Sequence, residues 1–348
     1  MSDNSFDALV PLGWNDRVRA LYGEIAAPGL LPARVVRVER SACVVATSAD
    51  RHVLADARTL PAVGDWVAAE IADDRSAVRG VVERWSTVTR GDPGGDRVQV
   101  LAANVDVVLV TTPADRPSPA RVERESVIGW ESGGRPIVVV TKVDLDGEGY
   151  VEELRDRLVG VDVVATSSAT GAGISELATA LQPCLTAVLL GPSGAGKSTL
   201  ANGLLGTDAL ATAAVRDGDH RGRHTTTSRQ LVVVPSGGVL IDTPGLRSLG
   251  LSGDSAGMEA AFTDIAELAA GCRFADCRHE GEPGCAVTAA EAAGDLDPER
   301  LKSYRKLERE LAFERRRTDP VARQAEQRRW KAIHKEMRGS YRPSRGDR

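Results

Sequence analysis

The chain has 348 residues, of which 42% are hydrophobic and 27% charged. That length allows two or three domains of ~100–200 residues each and a well-buried core, and no apolar run reaches the ~18–20 residues of a membrane helix. The net charge of −5 hides an asymmetry: residues 300–348 carry 17 Lys/Arg against 7 Asp/Glu, a net of +10, leaving −15 on the rest. A basic end on an acidic body fits either a nucleic-acid contact or a solvated helix face. The start, "MSDNSFDALV", lacks a basic segment followed by an apolar one, so a cytosolic location is expected.

Residues 1–30 are mixed and predict a short helix with a loose end. From about Ala33 to Val88, "ARVVRVER", "ACVVAT", "HVLADA", "DWVAAEI" and "AVRGVVERW" each suit a strand of ~4–8 residues. Short strands packed this densely predict a small closed barrel of the OB type, although an SH3-like barrel reads much the same. "GDPGGDRV" (91–98) reads as a linker or mobile loop. The first unit is therefore placed at residues 1–95.

From about Val100 the texture changes. "NVDVVLVTT", "RPIVVVTKVD", "VDVVATSS", "LTAVLLGPS", "RQLVVVPS" and "GGVLIDTPG" are apolar, β-branched runs of the kind buried parallel strands require. Helical stretches such as "ARVERESVIGWES" and "YVEELRDRLVG" separate the first of them. The reading is a doubly wound α/β domain over residues 100–250. Residues 251–348 then read as helices around a Cys-rich loop, ending in the basic tail.

Five features of the α/β unit point to a nucleotide. "GPSGAGKS" fits G-x-x-x-x-G-K-[ST] over Gly191, Pro192, Ser193, Gly194, Ala195, Gly196, Lys197 and Ser198, with Thr199 following. Such a loop turns its N–H groups toward phosphate oxygens at a helix start; Lys197 reaches the β- and γ-phosphates and the Ser198 hydroxyl coordinates Mg²⁺. "VLIDTPG" places Asp242 at a strand end, where an acid holds Mg²⁺ through water, and Gly245 where its N–H senses a γ-phosphate. "TKVD" supplies Thr141, Lys142, Val143 and Asp144. A buried Asp144 carboxylate accepts from guanine N1–H and its amine, a pair adenine lacks, while the Lys142 stem lies against the base. Thr141 stands where such motifs usually begin with Asn, and its hydroxyl is expected to bridge to a neighbouring loop. Ser167, Ser168 and Ala169 follow a strand and are placed to offer N–H groups to guanine O6. In "RGRHTTTSRQL" one of Thr225, Thr226 and Thr227, with Thr226 favoured, closes on Mg²⁺ and the γ-phosphate.

The order is unusual, because base-reading residues (141–144, 167–169) precede phosphate-binding ones (191–198, 225–227, 242–245). Ligands of such folds bind at the carboxyl edge of one parallel sheet. Chain order is then free to be cut and rejoined as a circular permutation, provided each strand keeps its neighbours. Leu246 stands where many GTPases carry the Gln that orients water, so slow intrinsic hydrolysis is expected. His224 is the candidate for the missing group, with an RNA-contacting or structural role as its alternative, and Arg221 and Arg223 can neutralise charge.

Cys272, Cys277, His279 and Cys285 form a second constellation, C-x4-C-x-H-x5-C. Three thiolates and an imidazole complete a tetrahedral Zn²⁺ shell with no open position, as in a structural site. The odd count of five cysteines argues against a disulfide framework, and Cys43 and Cys184 read as small core residues.

The permuted motifs, "GRHTTT", "IDTPG", the barrel ahead and the Cys/His cluster behind together resemble the RsgA (YjeQ) family of ribosome small-subunit-dependent GTPases, over nearly the whole chain. The resemblance implies an N-terminal OB-fold, a central circularly permuted P-loop GTPase and a C-terminal zinc-binding domain. It also implies a cytoplasmic role in late maturation of the 30S subunit, with hydrolysis stimulated by that subunit. The implied partners are 16S rRNA and GTP or GDP, for a monomer without a membrane. Candidate RNA contacts are Arg34, Arg37, Arg40 and Arg51 in the barrel, and residues 315–317 and 328–331, including Trp330, in the tail. Two rival readings are an rRNA-binding factor in which GTP is only structural, and an ATP-dependent enzyme in which "TKVD" is accidental.

Overall fold

The architecture comes from a computed structural model, which describes residues 6–39, 42–54, 61–72, 76–91, 98–145, 147–207, 229–242, 249–251 and 255–318. The chain opens with a 3-10 turn, Asp7–Leu12, and helix α1, Asp16–Gly23, whose start is capped by the Asn15 side chain accepting from Val18 N–H at 3.1 Å. Strands β1 (Leu30–Val38), β2 (Cys43–Ala46), β3 (Arg51–Leu54), β4 (Trp66–Glu70) and β5 (Ala77–Val81) follow, all antiparallel, in the order β3-β2-β1-β4-β5. Within these five strands β1 pairs β4 through Leu30–Arg34 and β2 through Arg34–Val38.

Arg34 is only 1% exposed, so it is excluded from the RNA contacts expected of the barrel arginines. Its guanidinium lies 5.1 Å from the Trp66 ring centroid. It donates to Leu12 O, to Gly64 O at 3.3 Å and to Thr186 Oγ1 at 2.8 Å. Burial pulls its pKa down to about 10 against the opposing fields of Asp106 and Asp65. One cation thus serves acceptors from three segments, two carbonyls and a hydroxyl.

Residues 91–98 are flanked by paired strands rather than by a free linker. β6 (Thr87–Gly91) and β7 (Val98–Ala103) form an antiparallel two-stranded ladder. The exposed Val98 and the Gly- and Asp-rich segment between the strands masked this hairpin in the sequence.

The α/β unit then runs β8 (Val107–Pro113), α2 (Pro119–Glu131), β9 (Arg135–Thr141), α3 (Glu148–Arg157), β10 (Asp162–Ala165), α4 (Ile174–Ala180), β11 (Thr186–Leu190), α5 (Lys197–Leu205), β12 (Arg229–Val233) and β13 (Val239–Asp242). Its strand order is β10-β9-β8-β11-β13-β12, parallel except for the β12–β13 pair. β8 and β11 are buried along their whole length, and β9 along all but its first residue, as the helices on both faces demand. β12 also pairs antiparallel with β1 at Arg37↔Gln230 and Val38↔Arg229, so one sheet of 11 described strands runs through both units.

Helices α6 (Ala256–Ala261), α7 (Thr263–Ala269), α8 (Ala286–Ala293) and α9 (Pro298–Thr318) complete the described chain. No described helix is long and apolar enough to cross a membrane. α9 is clamped to the α/β unit by charge. Glu123 on α2 has a fully buried side chain and receives Arg157 of α3 at 2.7 Å and Arg300 of α9 at 3.2 Å. Arg300 also grips Asp264 of α7 through two hydrogen bonds of 2.6 Å. The next residue of α2, Arg124, meets Glu310 of α9 at 2.6 Å and donates to Leu249 O at 3.2 Å.

Removing one partner from a buried ion cluster strands the others, at a cost of about 3–5 kcal/mol. Glu123→Ala is therefore expected to lower the melting temperature by several degrees in a thermal scan. Arg135→Ala, which breaks the exposed Arg135–Asp162 pair, is expected to leave it nearly unchanged.

Candidate nucleotide site and Cys/His cluster

The loops that follow β8, β9, β10 and β11 leave the same carboxyl edge of the sheet, at which β13 also ends, and open α/β sheets bind ligands there. The loop after β11 is set by its glycines. Gly191 sits at φ 148°, and a Cβ there would lie 2.2 Å from Thr111 Oγ1 and 2.4 Å from Thr111 O on the neighbouring strand. Thr111 in turn donates to Leu190 O at 2.8 Å. Gly194 and Gly196 take φ 76° and 81°, the left-handed region that glycine enters without penalty. Gly196 is the N-cap of α5, so the helix dipole ends in this loop. Lys197 folds back across it, donating to Gly191 O at 2.8 Å and Pro192 O at 2.6 Å. Ser193, Ser198 and Thr199 are exposed, whereas Gly191 and Ala195 are buried.

Thr141 ends β9, is buried, and donates from its hydroxyl to Ala195 O at 2.8 Å. A hydroxyl thus joins the loop expected to read the base to the loop expected to bind phosphate, at the position where an Asn is usual. Lys142 stands at φ 60° and is paired with Asp115 Oδ2 at 2.8 Å. Val143 N–H donates to Thr166 O at 3.2 Å, tying the β9 loop to the β10 loop. Asp144 is exposed. The sequence reading had it buried, but the turn after β9 carries it beyond the sheet edge. In the β10 loop Ser167 is buried, with its N–H given to Ala172 O at 3.1 Å, and Ser168 and Ala169 are exposed. Gly173 closes this turn at φ 71°, where a Cβ would lie 1.9 Å from Ala165 O.

Asp242 ends β13 and is partly buried, which raises its carboxyl above the usual range. His224, Thr225, Thr226, Thr227, Gly245 and Leu246 lie outside the described residues, as do Arg221 and Arg223. Arg40, Trp330 and the tail beyond 318 lie outside them too.

Two charged neighbours of the site escaped the motif reading. Asp115 and Arg116, in the loop after β8, contact Lys142 and Gly194 respectively. They belong to no motif, and only the adjacency of β8 to β9 and β11 brings them here.

The second cluster lies between α7 and α8. One donor atom from each of Cys272, Cys277, His279 and Cys285 falls within 4.8 Å of the others. Cys272 Sγ and Cys285 Sγ are 3.9 Å apart, and His279 Nδ1 lies 3.6 and 3.5 Å from them. These separations match the edges of a tetrahedron with ~2.0–2.3 Å metal bonds, so the four residues can hold one metal ion. The cluster is prepared for anionic sulfur. Ala286 N–H donates to Cys272 Sγ and Thr288 N–H to Cys285 Sγ, both at 3.4 Å. Cys285 is also the N-cap of α8, where the helix dipole favours a thiolate. Outside the donors, Glu282 accepts from Arg278 and Glu280 N–H at 3.0 and 2.8 Å, and Arg305 of α9 bonds His279 O.

Breaking the Thr141 bridge leaves a buried carbonyl without its partner, which costs about 1–3 kcal/mol. Thr141→Val, nearly isosteric, is expected to lower stability by that amount in urea titration, with Thr141→Ser retaining most of it.

Residues 81–252 match the family model described as RsgA GTPase. The chain is 45% identical over 337 residues to the small ribosomal subunit biogenesis GTPase RsgA of Streptomyces coelicolor, covering 92% of each chain. It is 43% identical to the protein of the same name from Opitutus terrae, covering 95% of this chain and 97% of that one. Among solved structures, YjeQ from Thermotoga maritima superposes with a TM-score of 0.61 at 24% identity, over 81% of this chain and 98% of that one. YloQ, described as a circularly permuted GTPase, gives 0.60 at 23% identity over 81% and 95%. These two likenesses establish the fold as that of the circularly permuted GTPases. With nearly full-length identities above 40% to named members, the chain belongs to the RsgA GTPase family and is a GTP hydrolase.

Proposed function

We propose that this GTPase serves the maturation of the small ribosomal subunit, binding the 30S particle and its 16S rRNA and hydrolysing GTP faster when bound. The observation that carries the nucleotide half is the Thr141–Ala195 hydrogen bond, which fastens a guanine-reading loop to a phosphate loop across two sheet strands. The ribosomal half rests on relatives that match nearly end to end and are named for small-subunit biogenesis.

In this reading the N–H groups of Gly191–Lys197 cradle the β-phosphate, and Lys197 exchanges its two loop carbonyls for phosphate oxygens. The hard oxygens of Ser198 and Asp242, with Thr226, suit Mg²⁺, which supplies charge neutralisation between the β- and γ-phosphates. Ser198 is exposed and Asp242 partly buried at the same edge, so both are accessible to such an ion. Thr141, Lys142, Val143 and Asp144 take the guanine base, with Ser167, Ser168 and Ala169 against its O6. Because Asp144 is exposed, the base itself must exclude the water that would weaken its choice of guanine. Gly245 senses the γ-phosphate. Leu246 cannot orient water, so His224 is assigned that task once ribosome binding orders its loop.

Three units follow: residues 1–95 as an OB-type barrel, 100–250 as the GTPase domain and 251–348 as a zinc domain with a basic tail. The β3-β2-β1-β4-β5 order supports the barrel. Three sulfurs and one ring nitrogen support Zn²⁺ as the metal, in a structural site. For RNA contact, Arg37 and Arg51 remain in the barrel, together with the tail. The expected state is a cytoplasmic monomer.

The rate of GTP hydrolysis is expected to rise on the order of tenfold or more with purified 30S subunits, and ATP to remain a poor substrate. An unchanged rate would remove the ribosomal coupling. His224→Ala should lower the stimulated kcat on the order of a hundredfold with KM little altered; full stimulated turnover in that variant would reassign His224 to a contact or structural role.

Metal analysis is expected to find one zinc per chain. Cys285→Ala should lose that zinc and melt earlier, because metal binding to such a site is also folding free energy. Zinc retained at full stoichiometry in this variant would overturn the ligand set.

A further inference from the structure

The loop after β8 carries two charged side chains that the guanine-nucleotide reading leaves without a task. Asp115 Oδ2 lies 2.8 Å from Lys142 Nζ. Arg116 Nη2 donates to Gly194 O at 3.5 Å, and its Nε stands 3.8 Å from Asp115 Oδ1. The loop that presents them is firmly seated. Ala114 N–H donates to Thr141 O at 2.9 Å, and Arg116 N–H to Pro113 O at 3.2 Å. Gly147 packs so close that a Cβ there would lie 2.7 Å from Ala114 Cβ and 2.9 Å from Val143 Cα.

Lys142 needs such a partner. Its stem has four rotatable bonds, and only a few of its rotamers lay the methylenes flat beside a base. Its backbone, at φ 60°, aims the side chain in a direction that neighbouring extended residues do not share. Thr141 adds one hydroxyl bond where an Asn would offer an amide with both donors and an acceptor. A second fixation of the base-reading loop is therefore in demand, and Asp115 stands at the end of the lysine.

We propose that Asp115 is a positioning residue for guanine recognition: it holds the Lys142 ammonium so that the lysine stem forms a platform for the base beside Asp144, while Arg116 ties the same loop to the phosphate loop. The proposal rests on the assignment of Asp144 and Lys142 to the guanine base. The Lys142 and Asp115 side chains are 36% and 33% exposed, so the pair should contribute about two- to fivefold in affinity.

The test is equilibrium binding of a fluorescent GDP analogue to the full chain, with Asp115→Ala, Asp115→Asn, Asp115→Glu, Lys142→Met, the double variant Asp115→Ala/Lys142→Met, and Asp144→Asn. Asp115→Ala and Asp115→Asn should each weaken binding about two- to fivefold, and Asp115→Glu should restore most of it. The loss should shrink at about 0.5 M salt, and kcat at saturating GTP should not move. Against Lys142→Met, which keeps an apolar stem without the charge, Asp115→Ala should have no further effect. An equal loss in both backgrounds would show that Asp115 acts on the loop and not through Lys142, and no loss in either would remove it from the site. Asp144→Asn separates this proposal from the reading beneath it. Guanine affinity lost in Asp144→Asn but kept in Asp115→Ala overturns the role of Asp115 alone, whereas unchanged affinity in Asp144→Asn overturns the guanine assignment itself.

Discussion

The ladder between β8 and β11 is the contact on which the remaining architecture depends. It pairs Val107 through Val110 with Ala187 through Leu190, side by side in parallel. On one side lie β9 and β10, whose loops carry the residues assigned to the base. β11 itself leads into the residues assigned to the phosphates, and on its other side β13 ends in Asp242, assigned to Mg²⁺. A parallel pair has all its carboxyl ends at one edge, so this single ladder puts both sets of loops on the same side of the sheet. Side-chain bonds then lock the junction: Thr111 to Leu190 O along the ladder, and Thr141 to Ala195 O across it. Chain order becomes irrelevant to the site, which is why a permuted chain can build it.

Two further connections bind the other units to this sheet, and they differ in kind. The N-terminal strands are joined by backbone and by one buried cation. β1 continues the sheet through β12, and Arg34 spans from Leu12 to Thr186, the first residue of β11. The helical unit is joined by charge, through Glu123–Arg300–Asp264 and Arg124–Glu310. Both clamps start on α2, the helix that leaves β8. Arg124 also bonds the carbonyl of Leu249, just beyond Asp242 and the residues assigned to γ-phosphate sensing. The same clamps make α9 ride with α2, so any movement of the metal-binding unit has to break or carry these ion pairs.

Much of this was legible in the residues. The parallel strands announce themselves as β-branched apolar runs because both faces are covered. The glycines of 191–196 are legible because only glycine fits the φ values and the close approach to Thr111. Cys272, Cys277, His279 and Cys285 are legible because three thiols and an imidazole crowded into one loop are the donor set of a tetrahedral metal site. The β6–β7 hairpin was missed because only four of its ten described side chains are buried and its apolar signal is correspondingly weak. Arg34 was misplaced because a charged residue in a β-rich stretch reads as surface, and only a ring face and a set of unsatisfied carbonyls from distant segments make its burial tolerable.

The sequence by itself determined the chemistry: which loops suit phosphate, which carboxylate suits guanine, which four residues suit a metal, and that the motifs run in permuted order. Each of these resides in neighbouring residues, where local backbone freedom and side-chain type decide. The tertiary structure alone decided which segments share an edge and which charges are buried. It put Thr141 against Ala195, Asp115 against Lys142 and Arg300 against Glu123, pairs separated by 54, 27 and 177 positions. Such pairs leave no periodic trace in a chain, because they form between residues that only the packing of strands and helices brings together.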